Sequence, residues 1–286
     1  MRYRFIHTEK AIFPVLVMCR VLLVSRSGYY AWLMRPRSAR DRHTERLAMR
    51  VRTIHARTRR RYGSPRIHRE LLAAGERVGE NRVARIMRCE GLRSVPKRRF
   101  RVTTQSNHSH PVAENVLQRN FKTEAPNRVW TGDITYLWTD EGWLYLAVLL
   151  DLFSRRIVGW AISTRINEEL ARAALEDAWR KRPVCGPLIH HTDRGSQYAS
   201  QGYSELIRKI RATPSMSRRG DCWDNAVTES FFATLKKELI YTQRWESREE
   251  MCAAVADYIE NFYNTQRRHS TLGYVSPVEF ELSHGM

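Results

Sequence analysis

Asp133 lies inside the run NRVWTGDITYLWT (residues 127–139), among Val129, Trp130, Ile134 and Tyr136. A carboxylate there is unusual, because strands are depleted in aspartate and an unpaired buried charge is costly. Asp193 ends a second apolar run, Leu188-Ile189-His190-His191-Thr192, and the chain turns at once through Arg194-Gly195-Ser196. Glu229 falls on a helical stretch whose apolar stripe is Val227, Phe231, Leu235 and Leu239; it lies off that stripe, with Lys236 on its side. Brought together, three such carboxylates repel one another unless cations intervene. Hard oxygen ligands suit Mg²⁺ or Mn²⁺, with a substrate phosphate completing the coordination. Two such ions about 3.5–4 Å apart stabilise the attacking and leaving oxygens of an in-line displacement at phosphorus. Each acid also has a plainer reading. Asp193 is a turn acid before glycine, Asp133 an oddity of one strand, and Glu229 and Lys236 a solvated helix face. Asp151, at the end of another apolar run, is expected to be structural, paired with Arg155 or Arg156.

The elements that must position these acids follow from periodicity. Residues 127–139, 143–154 and 155–163 are three closely spaced strand runs, an antiparallel meander. Asn167 caps a helix with Glu168 and Glu169 in its first turn. Leu188–His191 is a fourth strand, 202–211 a helix, 212–216 a short extended piece, and Asp224 or Asn225 caps a helix reaching Leu239. Three antiparallel strands followed by strand–helix alternation predict an α/β fold, a mixed five-stranded sheet flanked by helices. The fourth strand is expected beside the first, which sets Asp133 and Asp193 at one sheet edge, with Glu229 on a helix packed across it.

The first part of the chain has a different character. Residues 1–125 carry 29 Lys and Arg against 9 Asp and Glu, whereas residues 126–286 carry 20 against 21. Such an excess points to a polyanion, because each neutralised phosphate releases condensed counterions. The arginines are interspersed in ordinary helix patterns rather than in a long basic amphipathic helix, which favours nucleic acid over a membrane surface. A short helix is expected over 11–24, ended by Ser25-Arg-Ser-Gly28, and another over 41–57. YGSPRIHRELLAAG (62–75) reads as a helix with Ser64 as its cap, Pro65 in its first turn and Gly75 as its stop. A second helix, Asn81 to Glu90, buries Val83, Ile86 and Met87 and carries Arg82, Arg85 and Arg88 on its other side. This pair resembles a helix-turn-helix unit, with the alternative of a plain helical bundle. Lys97, Arg98, Arg99 and Arg101 follow directly, which makes all seven cations DNA-contact candidates. The expected division is a helical segment at 1–40, a helix-turn-helix region at 41–101, a linker at 102–122 and a catalytic part at 123–286.

Five cysteines without a CxxC argue against a disulfide scaffold and for a reducing cytosol. His108, His110, His190 and His191 have no paired cysteines nearby and are read as non-metal. Pro14 and Arg20 interrupt the apolar run Ala11–Leu23, which argues against export or a membrane span.

The motifs together resemble those of an insertion-sequence transposase of the IS-three type, the product of its second reading frame. That family is a branch of the DDE transposases and retroviral-type integrases. WTGDITYL around Asp133, HTDRGSQY around Asp193 and SRRGDCWDNAVTESFFATLKKEL around Glu229 resemble its three acid motifs. The 35 residues between Asp193 and Glu229, and Lys236 seven residues after the glutamate, match its spacing. CRVLLVSRSGYYAW, RRYGSPRIHREL and NTQRRHSTLGY, the last followed by Ser276-Pro277, resemble other parts of the family. The resemblance implies an RNase H-like core in which Asp133, Asp193 and Glu229 bind two Mg²⁺ or Mn²⁺ ions. It implies strand cleavage at element ends and transfer of the 3′-hydroxyl into DNA, with no covalent protein–DNA intermediate. Lys236 contacts DNA near the cleaved end, and Asn225 and Gln197 are positioning candidates. The implied partners are double-stranded DNA, further copies of the chain, and an upstream reading-frame product fused to it. A catalytically silent DNA-binding regulator and an RNase H-type nuclease are the competing readings.

Overall fold

A computed structural model describes residues 1–36, 38–95, 112–182, 184, 186–218 and 222–285. The chain opens with three short helices, α1 (Arg2–Glu9), α2 (Val15–Val21) and α3 (Arg26–Met34). The helix expected over 11–24 is α2, and the Ser25-Arg-Ser-Gly28 stretch expected to end it instead opens α3. The Ser25 hydroxyl accepts from the Gly28 amide at 3.0 Å, so Ser25 starts a helix rather than stopping one. Ile6, Met18, Cys19 and Tyr29 form the small core of this unit.

Helices α4 (Ala39–Arg57), α5 (Ser64–Ala73) and α6 (Glu80–Cys89) bury Leu47, Val51, Ile67, Leu71 and Val83 against one another. Gly63, not Ser64, is the N-cap of α5, and Pro65 sits in its first turn.

Five strands follow: β1 (Val129–Thr139), β2 (Gly142–Asp151), β3 (Ile157–Ser163), β4 (Leu188–Thr192) and β5 (Ala212–Met216). Their order is β3-β2-β1-β4-β5, with the first three antiparallel and β1–β4 and β4–β5 parallel. This is the mixed five-stranded sheet expected from the strand–helix order, in the RNase H-like arrangement that the family resemblance implies. Helices α7 (Glu168–Lys181) and α8 (Gln201–Lys209) cover one face, packing on Trp130, Ala147, Leu149 and Val158. Helix α9 (Ala226–Glu238) covers the other, where Val129, Leu137 and Val148 share a core with Phe231, Phe232 and Leu235. Side chains alternate along a strand, so Asp133 shares the α9 side with Val129 and Leu137.

The expected linker is partly built into the fold. Leu117 is buried, the Ser215 hydroxyl accepts from the amides of Val116 and Leu117 at 3.0 and 3.2 Å, and the Met216 amide donates to Glu114. A strap of roughly residues 114–121 thus packs along β5.

The C-terminal part comprises α10 (Arg248–Asp257), a π-helical turn at Tyr258–Tyr263, and α11 (Pro277–Ser283), which opens with a Ser276–Glu279 capping box. It ties the N-terminal helices to α9. Arg267 donates to both oxygens of buried Glu238, at 2.9 and 2.8 Å, and the Tyr258 hydroxyl adds a third bond at 2.9 Å. From the helical side, Arg61 donates to the Glu238 carbonyl at 3.1 Å and Arg66 to the Arg268 carbonyl at 2.9 Å. The Tyr62 hydroxyl donates to the Gln266 carbonyl at 3.2 Å and accepts from the Arg268 amide. The RRYGSPRIHREL and NTQRRHSTLGY stretches therefore meet each other.

Candidate active site

Strands β1 and β4 run in parallel with Val129 opposite Ile189, Trp130 opposite His190 and Thr131 opposite His191. Carried two residues further, that register sets Asp133 level with Asp193 at the point where β4 leaves the sheet. Each aspartate turns one oxygen to a backbone amide: Ile134 donates to Asp133 Oδ1 at 2.8 Å, and Gly195 to Asp193 Oδ1 at 2.9 Å. Glycine at 195 has a steric reason, since a Cβ there would lie 2.8 Å from Gln197 Oε1 and 3.0 Å from Asp193 Oδ1. The turn wraps closely around the acid it follows.

A short 3₁₀ turn, Cys222–Asn225, leads into α9. Asn225 does not cap the helix with its side chain. Its amide donates to the Gly132 carbonyl at 3.2 Å, and its Oδ1 is bonded to the Thr228 hydroxyl at 3.0 Å. The Thr228 and Thr131 hydroxyls lie 2.7 Å apart, fully buried. Gly132 precedes Asp133 and Thr228 precedes Glu229, so these bonds hold the first turn of α9 beside the first acid. Thr131 and Thr228 escaped the sequence reading, because nothing in a lone threonine announces a partner a hundred residues away.

Asp224 is the larger omission. Its carboxylate has no solvent exposure. Oδ2 accepts from the Arg218 amide, Arg218 Nε and Asn115 Nδ2, and Oδ1 from Arg218 Nη2 and Arg119 Nε, at 2.8–3.0 Å. Five donors fill a group with about four lone-pair sites, which leaves no place for a metal. The two arginines hold its carboxyl far below the usual carboxylate range. Asp224, the residue just before Asn225, is thereby tied to the strap.

The electrostatics mark Asp133 as the centre. Loss of solvent pushes its carboxyl well above the usual range, and repulsion from Asp193 adds to this. Glu229 pushes the same way more weakly, while the Ile134 amide and Lys236 oppose. Desolvation also raises Glu229 and lowers Lys236, the latter opposed by Asp133. The phenol of buried Tyr198 is raised by burial first and by both aspartates in part. His190 and His191 are kept uncharged by burial, at about 3 and about 4. Their rings bond Tyr203 at 2.6 Å, and Ser215 and Ser217 at 2.8 and 3.1 Å.

The donor set fits a hard divalent cation in part. Asp133 is a desolvated carboxylate repelled by Asp193, and a cation between them relieves that repulsion. Among the described residues, however, no three His, Cys, Asp or Glu side chains are close enough to hold one ion as they stand. Glu229 thus borders the pair without closing on it, in keeping with its weaker effect on Asp133.

Lys236 lies on α9 within the electrostatic reach of Asp133. Arg85 and Arg88 are exposed on α6, while Arg82 is partly buried and donates to the Thr44 hydroxyl at 3.0 Å. Lys97, Arg98, Arg99 and Arg101 lie outside the described residues, as do His108 and His110. Asp151 is structural but differently partnered than expected. Its oxygens accept from the amides of Asn127 and Phe153 at 2.7 and 2.9 Å, and its ion pair is with Arg182 at 3.5 Å. Arg156 instead pairs with Glu281.

Residues 123–222 and 210–277 each match a family model described as an integrase core domain, and residues 42–100 match an HTH-like domain. The chain is 45% identical over 284 residues to the transposase InsF for insertion sequence IS3fB of Escherichia coli (strain K12), with 98% of both chains covered. It is 47% identical over 264 residues to the insertion element IS600 uncharacterized 31 kDa protein of Shigella sonnei, covering 92% of this chain and 97% of that one. Among solved structures, a simian T-cell lymphotropic virus intasome in complex with PP2A regulatory subunit B56 gamma aligns at 18% identity and a TM-score of 0.47, over 80% of this chain and 73% of that one. The HTLV-2 integrase catalytic core domain in complex with magnesium aligns at 17% identity and 0.43, over 56% and 99%. Near-full-length identity to InsF, with an integrase core behind an HTH-like domain, establishes that the chain belongs to the IS3-type insertion-sequence transposases, a family of DDE polynucleotidyl transferases.

Proposed function

We propose that this chain cleaves DNA strands at the ends of an insertion element and joins the freed 3′-hydroxyls to target DNA, with Asp133, Asp193 and Glu229 as the metal-holding acids. One observation carries the assignment: a partly buried strand carboxylate, Asp133, whose electrostatic neighbours are Asp193, Glu229 and Lys236. Two Mg²⁺ or Mn²⁺ ions held by these acids would supply Lewis acidity at the phosphate and a nucleophile active at neutral pH. The protein's own residues do the positioning. Backbone amides fix one oxygen of each aspartate, and the Thr131–Thr228 and Asn225–Gly132 bonds carry Glu229 toward them. The Lys236 ammonium, two helical turns beyond Glu229, offers a point charge to a DNA phosphate beside the cleaved bond.

On this reading the helical region holds double-stranded DNA through Arg85, Arg88, Lys97, Arg98, Arg99 and Arg101, with Arg82 contributing less because Thr44 engages it. Copies of the chain assemble on the DNA, and an upstream-frame product extends it. Among the described residues no helix is long and apolar enough to cross a membrane.

The test is strand transfer from a duplex carrying the element end, with Mg²⁺ or Mn²⁺ supplied. Asp133→Asn, Asp193→Asn and Glu229→Gln are each expected to abolish cleavage and transfer while leaving duplex binding intact. Cleavage that survives any one of them removes that residue from the metal site. Binding without metal-dependent cleavage by the parent chain leaves only a DNA-binding regulator.

A further inference from the structure

A cleft of about 600 Å³ opens where α4 and α6 end. The two helices lie side by side in the same direction: Thr44 meets Arg82, Arg52 meets Glu90, and the His55 ring meets the Arg93 carbonyl. Both therefore finish at the cleft. Arg52, Arg59, Arg60 and Arg93 stand around it, over a floor that includes His55 and Leu92.

The backbone that raises Arg59 and Arg60 is strained. After α4 the Arg59 amide donates to the Ala56 carbonyl and the Arg60 amide to that of His55, with φ of 49° and 63° at the two arginines. The neighbouring helices make the same turn with glycine. Gly75 closes α5 at φ 80° and Gly91 closes α6 at φ 66°, with matching bonds to the carbonyls three and five residues back. Glycine is the usual residue there because a Cβ is disfavoured in the left-handed region. Single left-handed residues also follow α2 and α8, at Leu23 and Arg211, so strain alone marks nothing. Here it lifts two adjacent cations to the edge of a basic cleft.

The ordinary explanation is that surface arginines pair with nearby carboxylates. That covers Arg52, which pairs with Glu90 at 2.6 Å, and Arg59 is in reach of Asp257 at 3.8 Å. It does not cover Arg60 and Arg93. Both are exposed, and among the described residues neither has a carboxylate within ion-pair distance. Four guanidiniums around one cleft match a ligand with closely spaced negative charges. Duplex DNA carries one per about 1.7 Å of axis.

We propose that this cleft grips the phosphate backbone of the bound duplex, through Arg60 and Arg93 foremost, at a site separate from the exposed arginines of α6. The proposal rests on the reading that the chain binds element DNA. Its test is the salt dependence of duplex binding by the full chain carrying Arg60→Gly and Arg93→Ala, followed by fluorescence anisotropy from about 50 to 300 mM salt. Each phosphate contact contributes about 0.9 to the slope of log K against log salt, so the double variant should flatten it by about 1.8. The drop should be the same on an element-end duplex and a scrambled one, with the melting temperature unchanged or raised because glycine relieves residue 60. An unchanged slope, or a drop confined to the element-end duplex, overturns the phosphate grip. Absence of binding by the parent chain at any salt overturns the DNA reading itself.

Discussion

Glu238 gives the sharpest test of how the helix bearing the third acid is held. Its side chain is about 3% exposed and that of Arg267 about 6%, so the pair is essentially out of water. Arg267 grips both oxygens, Tyr258 donates a further bond, and Arg66 stands 3.5 Å away. Glu238→Gln preserves the shape and removes the charge, which leaves a buried guanidinium uncompensated. Breaking such a pair from one side costs about 3–5 kcal/mol. At about 2–4 °C per kcal/mol, the scale for domains of 150–250 residues, the melting temperature should fall by roughly 6–20 °C. Removing both charges with Glu238→Leu/Arg267→Met should cost clearly less than the single change, because the buried Arg267 charge goes with its partner and only the less buried Arg66 loses a contact. Burial pushes the Glu238 carboxyl up, but Arg267, then Arg66 and Tyr258, bring it net below its ordinary value. A lowered folded-state value means that the stabilisation is present above the unfolded value, about 4.3, and lost as pH falls through the folded one. The stabilities of the parent chain and the Glu238→Gln variant should therefore draw together as pH falls below the unfolded value. Urea melts at pH 7 and at a series of lower pH values measure all three effects. A loss under about 1 kcal/mol for Glu238→Gln at pH 7, or a double variant no better than the single, refutes the reasoning.

Other expectations follow from the same geometry. With metal chelated at pH 8, Asp133→Asn should melt above the parent chain, since the charge it removes is desolvated and faces Asp193; Mg²⁺ should then raise the melting temperature of the parent but not of the variant. Thr228→Val removes the hydroxyl that meets Thr131 and Asn225, and should cost about 1–3 kcal/mol in urea melts and lower strand transfer further than melting alone accounts for. Asp224→Asn should weaken the hold of Arg119 and Arg218 and raise the Mg²⁺ concentration needed for half-maximal transfer, with duplex affinity unchanged; an unaltered Mg²⁺ requirement would separate the strap from the site.

The sheet was legible because its strands are apolar runs bounded by turns, and the place of β4 beside β1 follows from strand–helix alternation. Asp133 was legible for a related reason, as a charge where periodicity demands an apolar side chain. Glu229 was not legible from pattern. Its helix shows a clear stripe through Phe231, Leu235 and Leu239, and the acid lies off it; only the docking through Asn225 and Thr228 turns that side toward β1. The same limit hid the partner of Asp151. Local spacing favoured Arg155 or Arg156, whereas the fold supplies Arg182 from the end of α7. The strap was read as linker because the stretch around it is polar, and only Leu117 is fully buried, with Phe121 partly buried against the core.

Helix α9 draws these observations together, because it is held at both ends by residues far from it in sequence. At its start, Asp224 is bound by Asn115 and Arg119 of the strap, and Asn225 and Thr228 are bonded to β1. At its end, Glu238 is locked by Arg267, and its carbonyl accepts from Arg61 of the helical region. The position of Glu229 relative to the aspartate pair is thus set jointly by the sheet, the strap and the helices that precede it. Variants at Arg61 or Arg119 should therefore alter the metal requirement of strand transfer without touching any acid.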